Sequence, residues 1–177
     1  MRRILLLAAV LFLAAHRPLA AQATRADTAA VLATVQRLFD ALARRDTAVL
    51  RAVMVPGVPF VSIRADTAST PRTQGDEAVM RMLTRGSERL LERFWSPVIQ
   101  IQGPIATVWT PYDFHVDGQW SHCGIDTFTL MRTGAEWRIA ALAYTVQLRG
   151  CALQGVGIAQ SHWPRIAASS QGGKPRL

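Results

Sequence analysis

The chain has 177 residues, of which half are hydrophobic and 18% charged, with two cysteines and a formal charge of +8 from 20 Lys and Arg against 12 Asp and Glu. That composition excludes a globally disordered chain and suffices for one domain with a buried core. A basic excess of this size points first to nucleic acid or a membrane surface, so where the cations sit decides what the charge means.

Residues 1–23 have the pattern of a signal peptide: Arg2 and Arg3, an apolar run from Ile4 to Ala15, then small residues at Ala21 and Ala23. The run is shorter than the roughly 20 residues a membrane span needs. Cleavage is therefore expected to leave a periplasmic or secreted protein with no stable membrane anchor. At the other end, residues 152–177 are rich in Gly, Ser and Pro without an apolar period and read as a flexible C-terminal tail. Arg2, Arg3 and Arg17 leave with the leader, and Arg165, Lys174 and Arg176 belong to the tail. Between residues 24 and 162 there remain 14 basic and 12 acidic residues, so the folded part, expected over 24–151, is close to neutral and no nucleic acid partner is expected.

From Asp27 to Arg45 the apolar residues Val31, Leu32, Val35, Leu38, Phe39 and Leu42 recur at helical spacing, with Thr24 or Asp27 as cap. Asp46 and Thr47 start a second short helix carrying Val49, Leu50, Val53 and Met54, which Pro56 and Gly57 close. Val58 to Arg64 is short and β-like, and Ala65 to Gly75 reads as a loop. A third helix is predicted over Asp76 to Arg85 with Gly86 as its stop. Strands follow over Leu90 to Gln102, Ile105 to Val116, Gln119 to Arg132 and Glu136 to Arg149, separated by Gly103-Pro104, Asp117-Gly118 and Thr133-Gly134. Together these predict an α+β domain with three N-terminal helices packed on a curved antiparallel sheet, kinked at Pro97 and Pro111.

The segment Val35 to Asp46, the order of the elements and the turn Gly134 to Ile139 (Gly-Ala-Glu-Trp-Arg-Ile) resemble the NTF2-like superfamily over about residues 27 to 150. The stretch from Trp109 to Gly124 is similar to an exported bacterial subgroup of that superfamily. The resemblance implies a cone-shaped fold of the SnoaL-like and ketosteroid-isomerase-like kind with a pocket between sheet and helices, and it covers many activities. The steroid isomerase branch implies a Tyr on the first helix and a carboxylate on the first strand. Here Leu38 and Ser62 or Ile63 stand at those places, so that mechanism lacks both its hydrogen-bond donor and its base.

If Asp117-Gly118 is a two-residue hairpin loop, Asp113 faces His122, His115 faces Trp120, and Trp109 faces Asp126, all on one side of the sheet. Thr110, Tyr112, Phe114, Cys123 and Ile125 then occupy the other. An Asp beside a His raises the imidazole pKa, which makes Asp113 and His122 the candidate acid–base pair. A surface ion pair is the competing reading. The tryptophans and tyrosines, Trp109, Trp120, Tyr112 and Tyr144 among them, are candidate walls of an apolar pocket, with His115 and Asp126 as further ligand-binding candidates and Arg64 at its mouth for an anionic group. No metal site is expected, since no zinc-type spacing of His or Cys occurs, and no cofactor is implied. In an oxidising compartment Cys123 and Cys151 are a candidate disulfide, although regular strand register leaves Cys151 about six residues, roughly 20 Å, beyond the position facing Cys123. Gly150 offers the chain reversal this needs, while free thiols or an intermolecular bond remain open. Three functions stand on these residues: binding of a small, largely apolar molecule in the cone, an isomerase, dehydratase or hydrolase using Asp113 and His122, and a structural module that forms a homodimer through a flat sheet face.

Overall fold

The computed structural model describes residues 24–151; the expected leader and tail lie outside the described residues. The first helix, α1 (Arg25–Arg44), begins with a reciprocal cap in which the Thr24 hydroxyl accepts from the Asp27 N–H while the Asp27 carboxylate accepts from the Thr24 N–H. It ends at Arg45, in left-handed conformation, whose guanidinium donates to the Leu83 and Glu88 carbonyls and pairs with the Glu88 carboxylate. One residue thus terminates α1 and anchors the end of α3 (Asp76–Arg85). Between these lies α2 (Thr47–Val53), capped by the Asp46 carboxylate. All three helices fall where the apolar spacing predicts them.

Seven strands form one sheet: β1 (Pro59–Arg64), β2 (Arg72–Gly75), β3 (Leu90–Phe94), β4 (Val98–Gln102), β5 (Ile105–Val116), β6 (Gln119–Thr133) and β7 (Glu136–Val146), in the order β2-β1-β7-β6-β5-β3 with β4 also on β5. The sheet is mixed rather than wholly antiparallel, because β1 runs parallel to β7, pairing Phe60 with Leu142 and Ser62 with Tyr144. The chain between these two strands, β2, α3 and the strands β3 to β6, supplies the long crossover that a parallel pair requires. Part of the expected loop before α3 is strand β2, which pairs antiparallel with β1.

The single strand expected over Leu90 to Gln102 is two, β3 and β4, which occupy the same edge of β5 at its two ends. The break falls at Trp95 to Pro97, where Ser96 has a positive φ of 47°. Opposite it stands Pro111, whose carbonyl accepts from the Trp95 N–H. Having no N–H of its own, Pro111 leaves that edge of β5 without a donor at the place where the neighbouring strand is interrupted. β5 itself continues through Pro111, paired with Ile125.

The core lies between the helices and the inner face of the sheet. Val31, Val35, Leu38 and Phe39 of α1 pack with Leu50 and Val53 of α2, Val79, Met80 and Leu83 of α3, and the strand residues Phe60, Val108, Phe128, Leu130, Ile139 and Leu142. Phe39 meets Phe94 edge-on at 5.6 Å and Phe128 at 6.0 Å between ring centres. Among the described residues no helix is long and apolar enough to cross a membrane.

Candidate functional site

Two irregularities decide which side chains meet. In the β5–β6 hairpin His115 pairs with Trp120 as the two-residue loop predicts, but the register then shifts by one, and Phe114 pairs with His122, Asp113 with Cys123 and Thr110 with Asp126. Ser121 is the extra residue. A shift of one residue exchanges every side chain beyond it between faces. Asp113 and His122 are therefore on opposite sides of the sheet, and the expected acid–base pair does not form. Trp109 faces Thr127 rather than Asp126.

On the outer face, Asp113 is buried and held by Arg93, with His115 Nε2 3.3 Å from its carboxylate and 3.1 Å from the Arg93 guanidinium. Burial opposes the charged form of Asp113, but the hydrogen bonds from Arg93 and His115 outweigh it and hold the carboxyl below its ordinary range. Trp109 and Trp120 stand on this side, half exposed, and line no pocket with the inner residues. Arg64 is not free for a ligand anion: its guanidinium binds the Asp66 carboxylate at 2.9 Å, and Asp66 also accepts from the Leu148 N–H.

On the inner face, just past the core rows, cross-strand pairing sets Thr110, Asp126, Tyr144 and Ser62 in a line, and further out Glu92, Phe114 and His122 in another. Tyr112 lies between them. Its ring crosses Gly124, where a Cβ would come within 2.0 Å of the Thr145 carbonyl oxygen, and its hydroxyl donates to that oxygen at 2.8 Å. The Ile125 N–H meanwhile donates to the Thr145 hydroxyl at 2.9 Å. Side chains thus carry the β6–β7 connection between the Asp126–Tyr144 pair and the Cys123–Gln147 bridge.

The chemistry of this face centres on two carboxyl groups. Asp126 is 2% exposed, and no N–H, hydroxyl or cationic side chain donates to its Oδ2. Its partner is Glu92, through a hydrogen bond between carboxyl groups that requires a proton. Burial pushes Glu92 up to about 8; the charge of Asp113, behind the strand, adds to this, while the bond to Asp126 opposes it. Burial likewise raises Asp126 well above the carboxylate range, and the charge and hydrogen bond of Glu92 reinforce the rise. Two carboxylates in one low-dielectric site cannot both ionise cheaply, so the pair keeps at least one proton at neutral pH.

Aromatic groups surround the pair. Tyr112 and Tyr144 meet edge-on at 6.4 Å, Tyr112 and His122 at 5.8 Å, and Phe114 stacks on the His122 ring at 5.0 Å. Burial lowers the His122 pKa, contrary to the rise expected beside a carboxylate, and its Nδ1 lies 3.0 Å from the Ser121 hydroxyl. His122 is consequently neutral at pH 7. Burial raises the pKa of both tyrosines, and the carboxyl pair adds to this. Ser62, Glu92, Phe114, His122 and Tyr144 are only half-buried, so the group keeps an opening to solvent.

Glu92 escapes a search for chemical motifs, since it sits in Leu-Leu-Glu-Arg-Phe with no partner in sequence. Strand alternation does mark it: Leu90, Glu92 and Phe94 share a face, which puts a carboxylate on the apolar side. Cys123 and Cys151 form a disulfide with their Cα atoms 6.1 Å apart, and Gly150, at φ 69°, supplies the reversal that brings Cys151 back. Beside the disulfide opens a cleft of about 310 Å³ between Trp95, Pro111, Ile125 and Gln147, which Tyr112 and Gly124 also line and which holds no carboxylate, imidazole or cation. Among the described residues no group of His, Cys, Asp and Glu is placed to hold a metal ion.

Residues 26–145 match a protein family described as "Putative lumazine-binding". Among curated proteins none matches the chain. Solved structures of similar fold include an NTF2-like protein from Cytophaga hutchinsonii, at TM-score 0.58 and 14% identity over 70% of this chain and 98% of that one. An NTF2-like protein of cystatin-like fold from Novosphingobium aromaticivorans has TM-score 0.56 and 16% identity over 72% and 85%. A protein of unknown function with a cystatin-like fold from Nostoc punctiforme has TM-score 0.57 and 12% identity over 70% and 92%. At these identities the likeness is one of fold.

Proposed function

This chain belongs to the lumazine-binding family within the NTF2-like superfamily, and on that premise we propose that it binds a small, flat organic molecule on the inner face of its sheet, with Tyr112, Phe114, His122 and Tyr144 as walls and Glu92 and Asp126 as the polar end. The observation that carries this is a buried carboxyl, Asp126, with no N–H, hydroxyl or cationic donor at Oδ2, set among the rings of Tyr112, which is buried, and of Phe114, His122 and Tyr144, which keep part of their surface in solvent. A folded domain rarely leaves such an acceptor without a role. The aromatic surface supplies apolar contact, and the carboxyl pair offers one donor and several acceptors to orient the guest.

The domain acts outside the cytoplasm on this proposal, after removal of residues 1–23. Its disulfide supports the assignment, because such a bond persists in oxidising compartments. Native mass spectrometry of the protein purified from its host, together with calorimetric titration of lumazine, tests the binding function. A retained small molecule or 1:1 lumazine binding that Tyr144→Ala weakens is the expected outcome. Protein that carries nothing and gives no heat, with Tyr144→Ala behaving as wild type, refutes it.

A second function is favoured by a specific feature of the outer face, where Val98 pairs with Trp109 and Ile105 with Met131, each about half exposed. Four large apolar side chains on one flat surface fit a second copy of the chain.

A further inference from the structure

Resting on the binding function proposed above, we infer that the molecule held at the inner site is a small aromatic cation with an N–H edge, of the amidinium or arylammonium class, which takes the place of the proton between Glu92 and Asp126. Three features of the site select this chemistry over a neutral or anionic guest.

The first is what the site lacks. Asp126, 2% exposed, has no N–H, hydroxyl or cationic donor at Oδ2 and faces only the carboxyl of Glu92, so the site calls for a donor and not for an acceptor. The second is the set of groups facing the pair. They are Tyr112 of β5, with Asp113 behind it, His122 of β6 and Tyr144 of β7, and none supplies a positive charge. Arg93, next to Glu92 in β3, is committed to Asp113 on the outer face, and Arg64 to Asp66. Among the described residues no cation acts on the pair, and any anion entering would meet two carboxyl groups. The third is the wall. Tyr112, Phe114 and Tyr144 present π-faces and edges around the carboxyls, and a cation over such faces gains from the ring quadrupole as well as from the carboxylate.

Binding is then an exchange of cations. The ligand N–H groups enter as donors to the Glu92 and Asp126 oxygens, the shared proton leaves to solvent, and no covalent bond is made or broken. A flat amidinium has the right form, since its two parallel N–H groups match the two oxygens of a carboxylate.

The probes are benzamidine, its neutral relative benzamide, and benzoate, titrated into the full chain by calorimetry in two buffers of different ionisation heat. Benzamidine is expected to bind at least tenfold tighter than benzamide at pH 7.5, to release up to one proton per molecule, and to gain affinity between pH 6 and 8; benzoate is expected not to bind. Glu92→Gln, which keeps the shape and removes the charge, is expected to weaken benzamidine at least tenfold and to abolish the proton release, with the thermal midpoint reporting that the fold is kept. The wild-type probe comparison stands whether or not that variant folds. Equal or tighter binding of benzamide, or benzamidine binding without proton release, overturns the inference. If lumazine or benzamide binds and benzamidine does not, this inference fails and the binding function stands; if none of the probes binds, both fail.

Discussion

Glu92→Gln gives a direct measure of the energy stored at the carboxyl pair. In the folded protein burial raises the Glu92 carboxyl to about 8 from an ordinary value of 4.5. The folded state therefore holds a proton that the unfolded chain has already released, and stability falls as pH rises through that interval. The slope is at most about 1.4 kcal/mol per pH unit for one proton, or roughly 4 kcal/mol between pH 5 and 8. Glu92 keeps part of its surface in water, so about 2 kcal/mol is the expected loss. His122 acts in the other direction: burial depresses its pKa, so its contribution is present above about 6.5 and is lost as pH falls below that value. Asp27, Asp66 and Asp113, all lowered, contribute stability that is fully present above about 4 and is lost only as pH falls below that value, outside the interval tested. The difference between wild type and Glu92→Gln isolates the pair from these groups. Urea unfolding followed by circular dichroism at pH 5, 6, 7 and 8 is expected to find the two proteins similar at pH 5 and the variant more stable by about 2 kcal/mol at pH 8. A difference independent of pH would show that Glu92 is solvated and that the two carboxyls do not share a proton.

Gly124→Ala is expected to destabilise the fold by about 3 kcal/mol, because its Cβ would lie 2.0 Å from the Thr145 carbonyl oxygen, and to displace the Tyr112 hydroxyl from it; chemical denaturation reads the loss. Tyr112→Phe tests the same connection more gently, and about 1 to 2 kcal/mol is expected for a buried carbonyl left without its donor. Replacing both Cys123 and Cys151 with Ser should cost about 2 to 4 kcal/mol, and reduction of the wild type should lower its thermal midpoint to match. Trp109→Glu should convert a dimer into a monomer in sedimentation velocity if the outer face pairs two copies, and a wild-type protein that is monomeric at every concentration removes that function.

The helices and most strands were legible because their signals are local. The apolar spacing of α1, the Asp46 cap and the Asp-Gly hairpin each act over a few residues, and α3 runs from Asp76 to Arg85 as its pattern predicts. Tyr112, Tyr144 and Asp126, three of the residues singled out for a pocket, do meet at one site. Their companions differ from expectation because the turn alone does not fix the pairing of β5 with β6: a single extra residue, Ser121, reverses the faces from Phe114 outward. No feature of Trp-Ser-His marks that bulge in the sequence.

The sequence by itself determined the elements, the near neutrality of the folded part, and a pair of cysteines suited to an oxidising compartment, since composition, capping and periodicity are properties of short stretches of chain. Only the tertiary structure decided that β1 lies parallel to β7, that Asp113 turns outward to Arg93 while His122 turns inward to Phe114, and that Glu92 and Asp126, 34 positions apart in the sequence, come together in one site. These outcomes depend on strand register and on how far each group is removed from water. Both are set by the whole sheet closing over its helices, and neither is encoded within any one of its strands.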